Sequence, residues 1–415
     1  MMDTDTQATL AGRLFAHLDR GTTDYAAAEM HLPTRVYFDA DHGARERAAV
    51  FATHPLVAAH SSELAAPGDF VTTDLAGTPV LIVRQADGSV QAFINVCRHR
   101  GARVVCVERG NERVFSCRYH GWAYNRDGSL RSIPYDDGFC NLDRADYPLV
   151  RLPAGERHGL VWVVPSPCSG GDADLDLAAF LGAELDAELA GYRVESFVLH
   201  RTETYTQPIN WKLIADGFLD AYHLKFLHPK TVSPLFHTNV HLWDSFEPHA
   251  RLITPRKSID GVRQRPPEEI DLLRHVIVGY HLMPNTILVV EPAHYEAWTI
   301  MPDASDPAIS HTTIRFLIPT KPQTDADAAL WEKNWTILMG AVQNEDWWAA
   351  GTIQASLRPT GVTELVLGRN ESSVQHLHRY LAAVIAGETA PSGVPRRRRD
   401  LNLVDARDAG LGVAG

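Results

Sequence analysis

Hydrophobic residues recur along the chain at spacings that predict several helices. Helix-forming composition marks Ala8 to Leu18 and Ala44 to Ala52. The segment from Trp211 to Leu227 has helical character and is expected to stop before Pro229. Apolar residues at helical spacing predict one long helix from Ala326 to about Leu357.

Between residues 68 and 166 the pattern changes to short runs of β-branched and aromatic residues. Val80 to Val83 and Val90 to Val96 flank the turn Asp87-Gly88, which predicts a β-hairpin. Trp122 to Tyr124 and Leu160 to Val164 are further strand candidates. We therefore expect a small all-β domain of about 100 residues.

Beyond a small, polar linker near residues 168–172, the chain mixes strands with helices. The segments that read as strands of an antiparallel sheet are Phe197 to Thr206, Ile287 to Val290, Ala297 to Met301 and Thr312 to Ile318. The pattern predicts an α+β protein with two structural parts.

Composition narrows the class of function. The 415 residues carry 39 basic and 51 acidic side chains, a formal charge of −12, which argues against nucleic acid as the main partner. The start of the chain lacks the features of a secretory signal, and no apolar stretch could cross a bilayer, so a cytoplasmic location is expected. Five cysteines exclude a disulfide scaffold, and in a reducing compartment Cys and His spacing more often indicates metal binding or catalysis.

Two Cys-His pairs form the sharpest motif. Cys97 and His99 make a C-x-H pair, and Cys117 and His120 make a C-x-x-H pair. Cys₂His₂ zinc sites usually take both cysteines from one half. One Cys and one His in each half instead suit a [2Fe–2S] cluster in which two imidazoles replace two thiolates on one iron. Structural zinc is the alternative.

The other cysteines lack a histidine at ligand spacing. They are predicted to be small buried hydrophobic residues: Cys106, Cys140 and Cys168.

A second motif combines histidines with a carboxylate. Asp220 and His223 are three residues apart, which places them on one face of the predicted helix. His228 follows at the end of that helix, so a turn there could bring the two histidines together. Two histidines and a distant carboxylate can form a facial-triad iron(II) site. Histidines of the core or surface, without a ligand role, are the alternative.

The long predicted helix supplies candidates for the third ligand. Glu345 and Asp346 are neighbours, followed by two tryptophans. Burying a carboxylate among aromatic side chains is costly unless a cation pairs with it. The sequence leaves the choice between Glu345 and Asp346 open, and a solvated helix face is the alternative.

Taken together, these motifs resemble the large (alpha) terminal subunit of the Rieske non-haem iron aromatic-ring-hydroxylating oxygenases, over residues 40 to 385. The matching positions are Cys97, His99, Cys117 and His120 for the cluster, Asn210-Trp211-Lys212 opening the catalytic segment, and Asp220, His223 and His228 for Asp-x-x-His-x(4)-His. The helix carboxylate of the family aligns best with Asp346. One departure is Ala215-Asp216, where many members carry Glu-Asn.

The resemblance implies an all-β Rieske domain over residues 66–167 and a catalytic domain over 168–387, with an antiparallel sheet around a long helix (a helix-grip fold). An N-terminal helical segment, 1–65, is expected to pack on the catalytic domain, and 388–415 to form a tail. The family also implies a ring-shaped trimer. In that trimer Asp220 would link His120 of one chain to His223 of the next and orient both imidazoles.

The resemblance further implies a terminal oxygenase with a Rieske [2Fe–2S] cluster and a mononuclear Fe(II) held by His223, His228 and Asp346. No nicotinamide or flavin motif occurs in the chain, so electrons from NADH or NADPH are expected through a partner reductase, with or without a ferredoxin. The reaction is cis-dihydroxylation or monooxygenation, including oxidative O- or N-demethylation. A small beta subunit is compatible with the family.

Apolar residues around the second motif favour an aromatic or hydrophobic substrate. They are Phe218, Leu219, Phe226, Leu227, Leu235 and Phe236. Two alternatives from other classes stay open at this stage: a Rieske protein that only transfers electrons, and a zinc-stabilised binding module.

Overall fold

The computed structural model describes residues 2–168 and 174–392. Most of the predicted linker and the tail beyond residue 392 lie outside the described residues. The helices are α1 (Thr4–Arg20), α2 (Ala40–Glu46), α3 (Leu177–Leu181), α4 (Ala183–Tyr192), α5 (Trp211–Phe218), α6 (Leu224–Leu227), α7 (Asp325–Ala341), α8 (Trp347–Leu357) and α9 (Ser372–Ala386). The π-helical turns are Arg47–Phe51 and Val342–Asp346.

Short strands dominate the first half and longer strands the second. In chain order they are β1 (Met30–Pro33), β2 (Leu56–His60), β3 (Asp69–Leu75), β4 (Thr78–Arg84), β5 (Val90–Ile94), β6 (Arg109–Asn111), β7 (Val114–Ser116), β8 (Ala123–Asn125), β9 (Leu130–Ser132), β10 (Arg151–Leu152), β11 (Ala154–Arg157), β12 (Leu160–Val163), β13 (Val198–Gln207), β14 (Leu242–Phe246), β15 (His249–Pro255), β16 (Val276–Leu282), β17 (Thr286–Val290), β18 (Tyr295–Pro302), β19 (Ser310–Ile318) and β20 (Glu364–Leu367).

The first half folds into a β-rich domain of three small antiparallel sheets. Their strand orders are β10-β5-β4-β3-β6, β11-β12-β2 and β7-β8-β9. The predicted hairpin is β4–β5, and its turn uses Gly88 at φ +87°, a conformation that glycine adopts without steric cost. Strand β2 lies before the predicted boundary at residue 66, yet it pairs with β12, a hundred residues further along the chain. The β-rich domain therefore includes residues on both sides of that boundary.

The second half is built on one seven-stranded antiparallel sheet with the order β13-β19-β18-β17-β16-β15-β14. The long helical segment from α7 to α8 shares a core with one side of it, through residues such as Trp335, Met339 and Trp298. Helices α1, α3 and α4 share the other core with strands β14 to β17. The predicted α+β architecture is therefore confirmed.

Helix α1 packs on the second half of the chain. Asp3 caps its first turn, and Leu10 and Leu14 are buried in the core that contains the sheet. Arg13 pairs with Asp244 of β14, with 2.7 Å between nitrogen and oxygen. The N-terminal helix is thus part of the same packed unit as the large sheet.

The fold corrects a helix prediction and a prediction about the cysteines. The helix expected from Trp211 to Leu227 stops at Phe218 and resumes only as the short α6, because residues 219–223 form turns. Cys106 and Cys140 are exposed and Cys168 is half-buried, so these cysteines are not core residues. Cys106 and Cys140 lie in loops, where the burial tendency of the thiol does not decide the backbone path.

Candidate active site

The two Cys-His pairs lie on loops with the same backbone hydrogen bonds. The N–H of Cys97 donates to the carbonyl of Ala102 and that of Cys117 to the carbonyl of Trp122, at 2.7 and 2.9 Å. Four residues after each cysteine, Gly101 and Gly121 donate back to its carbonyl. Both glycines have positive φ, +78° and +71°, so each loop can turn tightly around whatever lies between them.

These loops bring the four predicted cluster ligands together. Cys97 and Cys117 are buried, and the rings of His99 and His120 have centroids 4.6 Å apart. His99 stacks on Trp122, and its buried Nδ1 has no hydrogen-bond partner. Burial raises the pKa of the Cys97 thiol. Two buried thiols beside an unpartnered imidazole nitrogen fit an iron-sulfur cluster, whose positive charge would stabilise the thiolates.

His120 uses its other nitrogen on the surface of the loop. Its Nε2 is 2.7 Å from the guanidinium of Arg100, which also lies over the ring of Tyr119. One nitrogen of this ring is therefore occupied by a guanidinium at the exposed side of the loop.

The second motif is presented by the interruption between α5 and α6. Asn210 accepts the N–H of Lys212 and so caps the start of α5. After α5 ends, the carboxylate of Asp220 accepts a hydrogen bond from the backbone N–H of Tyr222 at 2.5 Å. Its other oxygen lies 3.0 Å from Nδ1 of His223. The predicted pairing of Asp220 with His223 is present, but a turn produces it rather than one helix face.

Three predicted ligands of the mononuclear iron converge. The Nε2 atoms of His223 and His228 lie 3.6 and 3.0 Å from Oδ1 of Asp346. Their potential ligand atoms all lie within 4.8 Å of one another, and no other such group of His, Cys, Asp or Glu occurs in the described part of the chain. Two imidazoles and one carboxylate are the donor set that suits non-haem iron(II).

Glu345 contacts the opposite side of the same histidine. Its Oε2 lies 2.5 Å from Nδ1 of His228 and accepts the hydroxyl of Thr231 at 2.6 Å. Burial lowers the pKa of His228, but the hydrogen bonds and charges of Asp346 and Glu345 outweigh this and raise it. Of the two candidate acids, only Asp346 faces both Nε2 atoms.

The two acids occupy a π-helical turn, Val342–Asp346, between α7 and α8. Such turns are rare, and they are found frequently at functional sites. The sequence pattern predicted an uninterrupted helix here, because one widened turn barely disturbs the spacing of apolar residues.

A cavity of about 420 Å³ opens onto this group, and its wall includes His223, His228 and Asp346. Its lining is mostly apolar. Of the six apolar residues expected around the motif, Phe218, Leu227 and Phe236 line it. Leu219 is buried elsewhere, and Phe226 and Leu235 are exposed.

The cavity wall also holds Asp216, which the sequence marks only as a departure from the family pattern, without predicting Tyr37 or His378 beside it. Asp216 accepts the hydroxyl of Tyr37 at 2.8 Å and lies 3.1 Å from Nε2 of His378. Burial and the Asp216 charge raise the pKa of Tyr37 well above its usual range. Glu371 lines the same wall, and its pKa is raised by burial. No local pattern marks residues that come from such distant parts of the chain.

Comparisons with known proteins agree with this geometry. The family model of the Rieske [2Fe-2S] domain matches residues 54–148, and the model of the ring hydroxylating alpha subunit (catalytic domain) matches residues 194–387. The chain therefore belongs to the Rieske-type ring-hydroxylating oxygenase family. The predicted order of a Rieske domain and a catalytic domain is confirmed, and with it the pair of cofactors that this family carries, a [2Fe–2S] cluster and a mononuclear iron.

Two curated relatives represent different reactions. The chlorobenzene dioxygenase subunit alpha of Cupriavidus sp. (strain PS12) is 34% identical over 197 residues, which are 46% of this chain and 42% of that protein. The carnitine monooxygenase oxygenase subunit of Escherichia coli (strain K12) is 34% identical over 198 residues, 48% of this chain and 52% of that protein. The chain thus spans about half the length of the curated relatives it matches.

Solved structures show the same fold over most of the chain. A quaternary ammonium Rieske monooxygenase has a TM-score of 0.73 at 20% identity and covers 91% of this chain and 98% of its own. Naphthalene 1,2-dioxygenase from Rhodococcus sp. has a TM-score of 0.68 at 19% identity and covers 92% and 98%. In the described residues, we find no helix with the length and apolar character to cross a membrane.

Proposed function

We propose that the chain is a terminal oxygenase that inserts oxygen from O₂ into an aromatic or other hydrophobic small molecule. The observation that carries this proposal is the mostly apolar cavity whose wall includes His223, His228 and Asp346. The same chain holds Cys97, His99, Cys117 and His120 on two matched loops. A protein that only carries electrons would need only the four cluster residues, so the cavity and its triad favour the oxygenase.

The assignments of individual residues are part of the proposal. Cys97, Cys117, His99 and His120 would hold the [2Fe–2S] cluster, and His223, His228 and Asp346 the Fe(II). When bound, the cluster supplies one-electron transfer and the Fe(II) supplies activation of O₂. Asp220 keeps the Nδ1 proton of His223 and so leaves Nε2 free to face the cavity.

The cavity wall binds and orients the substrate. Phe218 and Trp347 present aromatic rings to the cavity, and Leu213, Val289 and Ile287 add aliphatic surface. Such a wall favours an apolar substrate and limits water near the triad, which protects a reactive site from side reactions. The position in which the wall holds the substrate decides which atom is oxidised.

Monooxygenation with loss of a methyl group from nitrogen or oxygen is the second candidate. The carnitine monooxygenase relative supports it, and so does the carboxylate of Asp216, which Tyr37 and His378 hold at the cavity wall. That carboxylate can pair with a charged nitrogen of a substrate. Release of formaldehyde would distinguish this reaction from formation of a cis-dihydrodiol.

The partners of the chain are proposed from the family. Electrons from NADH or NADPH would arrive through a separate reductase, with or without a ferredoxin. The assembly would be a homotrimer in which Asp220 of one subunit takes the place of Arg100 beside Nε2 of the neighbouring His120. Asp220 is suited to this role because it already bonds His223.

The test is metal and acid-labile sulfide analysis of anaerobically purified protein, together with its visible spectrum. We expect about three irons and two sulfides per chain, one cluster plus one separate iron. About two irons and two sulfides, unchanged by added Fe(II), would instead support the electron carrier. Zinc without sulfide would contradict both redox functions.

A further inference from the structure

The two histidines of the triad share one arrangement. In each ring, one nitrogen faces Asp346 and the other faces a carboxylate outside the triad. Asp220 is that carboxylate for His223, at 3.0 Å from Nδ1, and Glu345 is its counterpart for His228, at 2.5 Å. We infer that Glu345 is a positioning residue, which fixes the tautomer and the orientation of His228 for the metal; this inference rests on the proposed function.

The argument starts from the protons of the ring. A neutral imidazole carries one N–H, and a metal can bind only the nitrogen that lacks it. A carboxylate beside Nδ1 takes the N–H there and leaves the lone pair of Nε2 toward Asp346. His228 is 2% exposed, so in the folded protein it is Glu345 and not bulk water that contacts this Nδ1.

The position of Glu345 is itself fixed. The hydroxyl of Thr231, in the loop after α6, donates to the same Oε2 at 2.6 Å. This contact ties the π-helical turn of the long helix to the loop that carries His228. Consecutive residues of that turn, Glu345 and Asp346, therefore hold the two nitrogens of one imidazole.

The geometry separates the roles of the two acids. Asp346 lies within reach of both Nε2 atoms, whereas Glu345 reaches only the Nδ1 side of His228. Residues that hold a metal-binding histidine from behind typically contribute 10- to 100-fold in metal affinity. Glu345 should therefore affect the affinity without being a ligand.

The experiment measures binding of Co(II) to the full-length protein after the mononuclear site has been emptied by a chelator and the cluster retained. Titration calorimetry gives the Kd, and the EPR spectrum of bound Co(II) reports ligand geometry, since the oxidised cluster has no net electron spin. We expect Glu345→Ala to weaken binding about 10- to 100-fold and to alter the EPR spectrum. Glu345→Gln keeps an acceptor oxygen without the charge and should restore part of the loss.

Glu332→Gln is the matched control. Glu332 lies on the same long helix and also contacts a histidine, with 3.4 Å to Nε2 of His200, but it is remote from the triad. Its Co(II) affinity should equal that of the unmodified protein. The visible spectrum of the cluster and the melting temperature without Co(II) check that each variant is folded.

Three results are decisive. Unchanged Kd and EPR spectrum in folded Glu345→Ala would overturn the inference and leave the proposed function standing. Complete loss of Co(II) in Glu345→Ala with retention in Asp346→Ala would also overturn it, because Glu345 would then be the ligand. Absence of Co(II) binding in the unmodified protein would instead contradict the proposed function itself.

Discussion

At the scale of single residues, a buried ion pair anchors the segment that carries the site. Nζ of Lys212 lies 2.6 and 2.7 Å from the two carboxylate oxygens of Glu46, and both side chains are almost fully buried. The indole N–H of Trp211 donates to the same carboxylate, and a ring nitrogen of His42 lies within hydrogen-bond distance of it. Burial raises the pKa of Glu46, but the charges and hydrogen bonds of Lys212 and His42 together outweigh this and lower it to about 2.

We therefore expect Lys212→Met to destabilise the protein by about 3–5 kcal/mol, because it leaves a buried carboxylate without its cation. The double variant Lys212→Met/Glu46→Gln should lose less, since it removes both charges. Denaturant unfolding measures both values.

Arg103→Met is the control for this pair. Arg103 and Asp74 form an exposed ion pair at 3.3 Å, and its loss should cost about 0–1 kcal/mol. A loss for Lys212→Met that does not exceed that of Arg103→Met would show that the buried pair is not a stabilising anchor.

At the scale of elements, turns and interruptions position the functional groups. The sequence predicted a long helix near residues 326–357, and the structure has it from Asp325 to Leu357 with a π-helical turn inside. It also predicted one helix across the Asp-x-x-His motif, where the structure has a break. Helical periodicity averages over several turns, so it finds the helix and misses a single irregular turn.

The turn between β11 and β12 packs against the start of the second half of the chain. Gly159 has φ +74°, and a Cβ there would lie 2.5 Å from the backbone nitrogen of Glu195. His60, on the neighbouring β2, lies 3.1 Å from the carbonyl of Val194. A side chain at position 159 would therefore push the 3-10 helix Val194–Ser196 away from the β-domain.

We expect Gly159→Ala to destabilise the protein by more than the roughly 1–2 kcal/mol that a left-handed conformation costs an alanine. Gly88→Ala is the matched control: φ is +87° there, and its Cβ would meet nothing within 4 Å. Thermal or denaturant unfolding compares the two. Equal losses would mean that the contact with Glu195 yields without cost.

At the scale of the whole molecule, packing buries several histidines outside the site. His54, His249 and His281 are at most 1% exposed. Burial lowers the pKa of His54 and His249 to about 4 and that of His281 to about 3. These rings are neutral in the folded protein and become protonated on unfolding once the pH falls below about 6.5.

Their contribution to stability has a definite sign. Because the folded pKa is below the unfolded one, the full contribution is present above about pH 6.5 and is lost as the pH falls toward 4. Each group adds a slope of up to about 1.4 kcal/mol per pH unit. We expect the free energy of unfolding to fall between pH 7 and pH 5, and His249→Asn to make that fall shallower by the slope of one group.

Replacement of the exposed His31 provides the comparison, since a solvated ring loses little on unfolding. If His249→Asn and His31→Asn showed the same pH dependence as the unmodified protein, burial of His249 would not be a source of acid sensitivity.

The sequence by itself determined the kind of protein and most of its predicted ligands. Fixed short spacings place Cys97 beside His99 and Cys117 beside His120, because donor atoms a few residues apart on one loop are close in any compact fold. The same holds for Asp220 and His223, which meet even though the helix expected between them is broken.

Only the tertiary structure shows which of Glu345 and Asp346 faces both Nε2 atoms, and only it brings Tyr37 and His378 to Asp216. Neighbours on a helix differ in direction, and a π-helical turn sets directions that no periodic pattern encodes. Residues far apart in the chain meet through the packing of whole elements, as α9 does when it places His378 beside Asp216. The sequence supplies the chemical groups, and the packed fold decides which of them face each other.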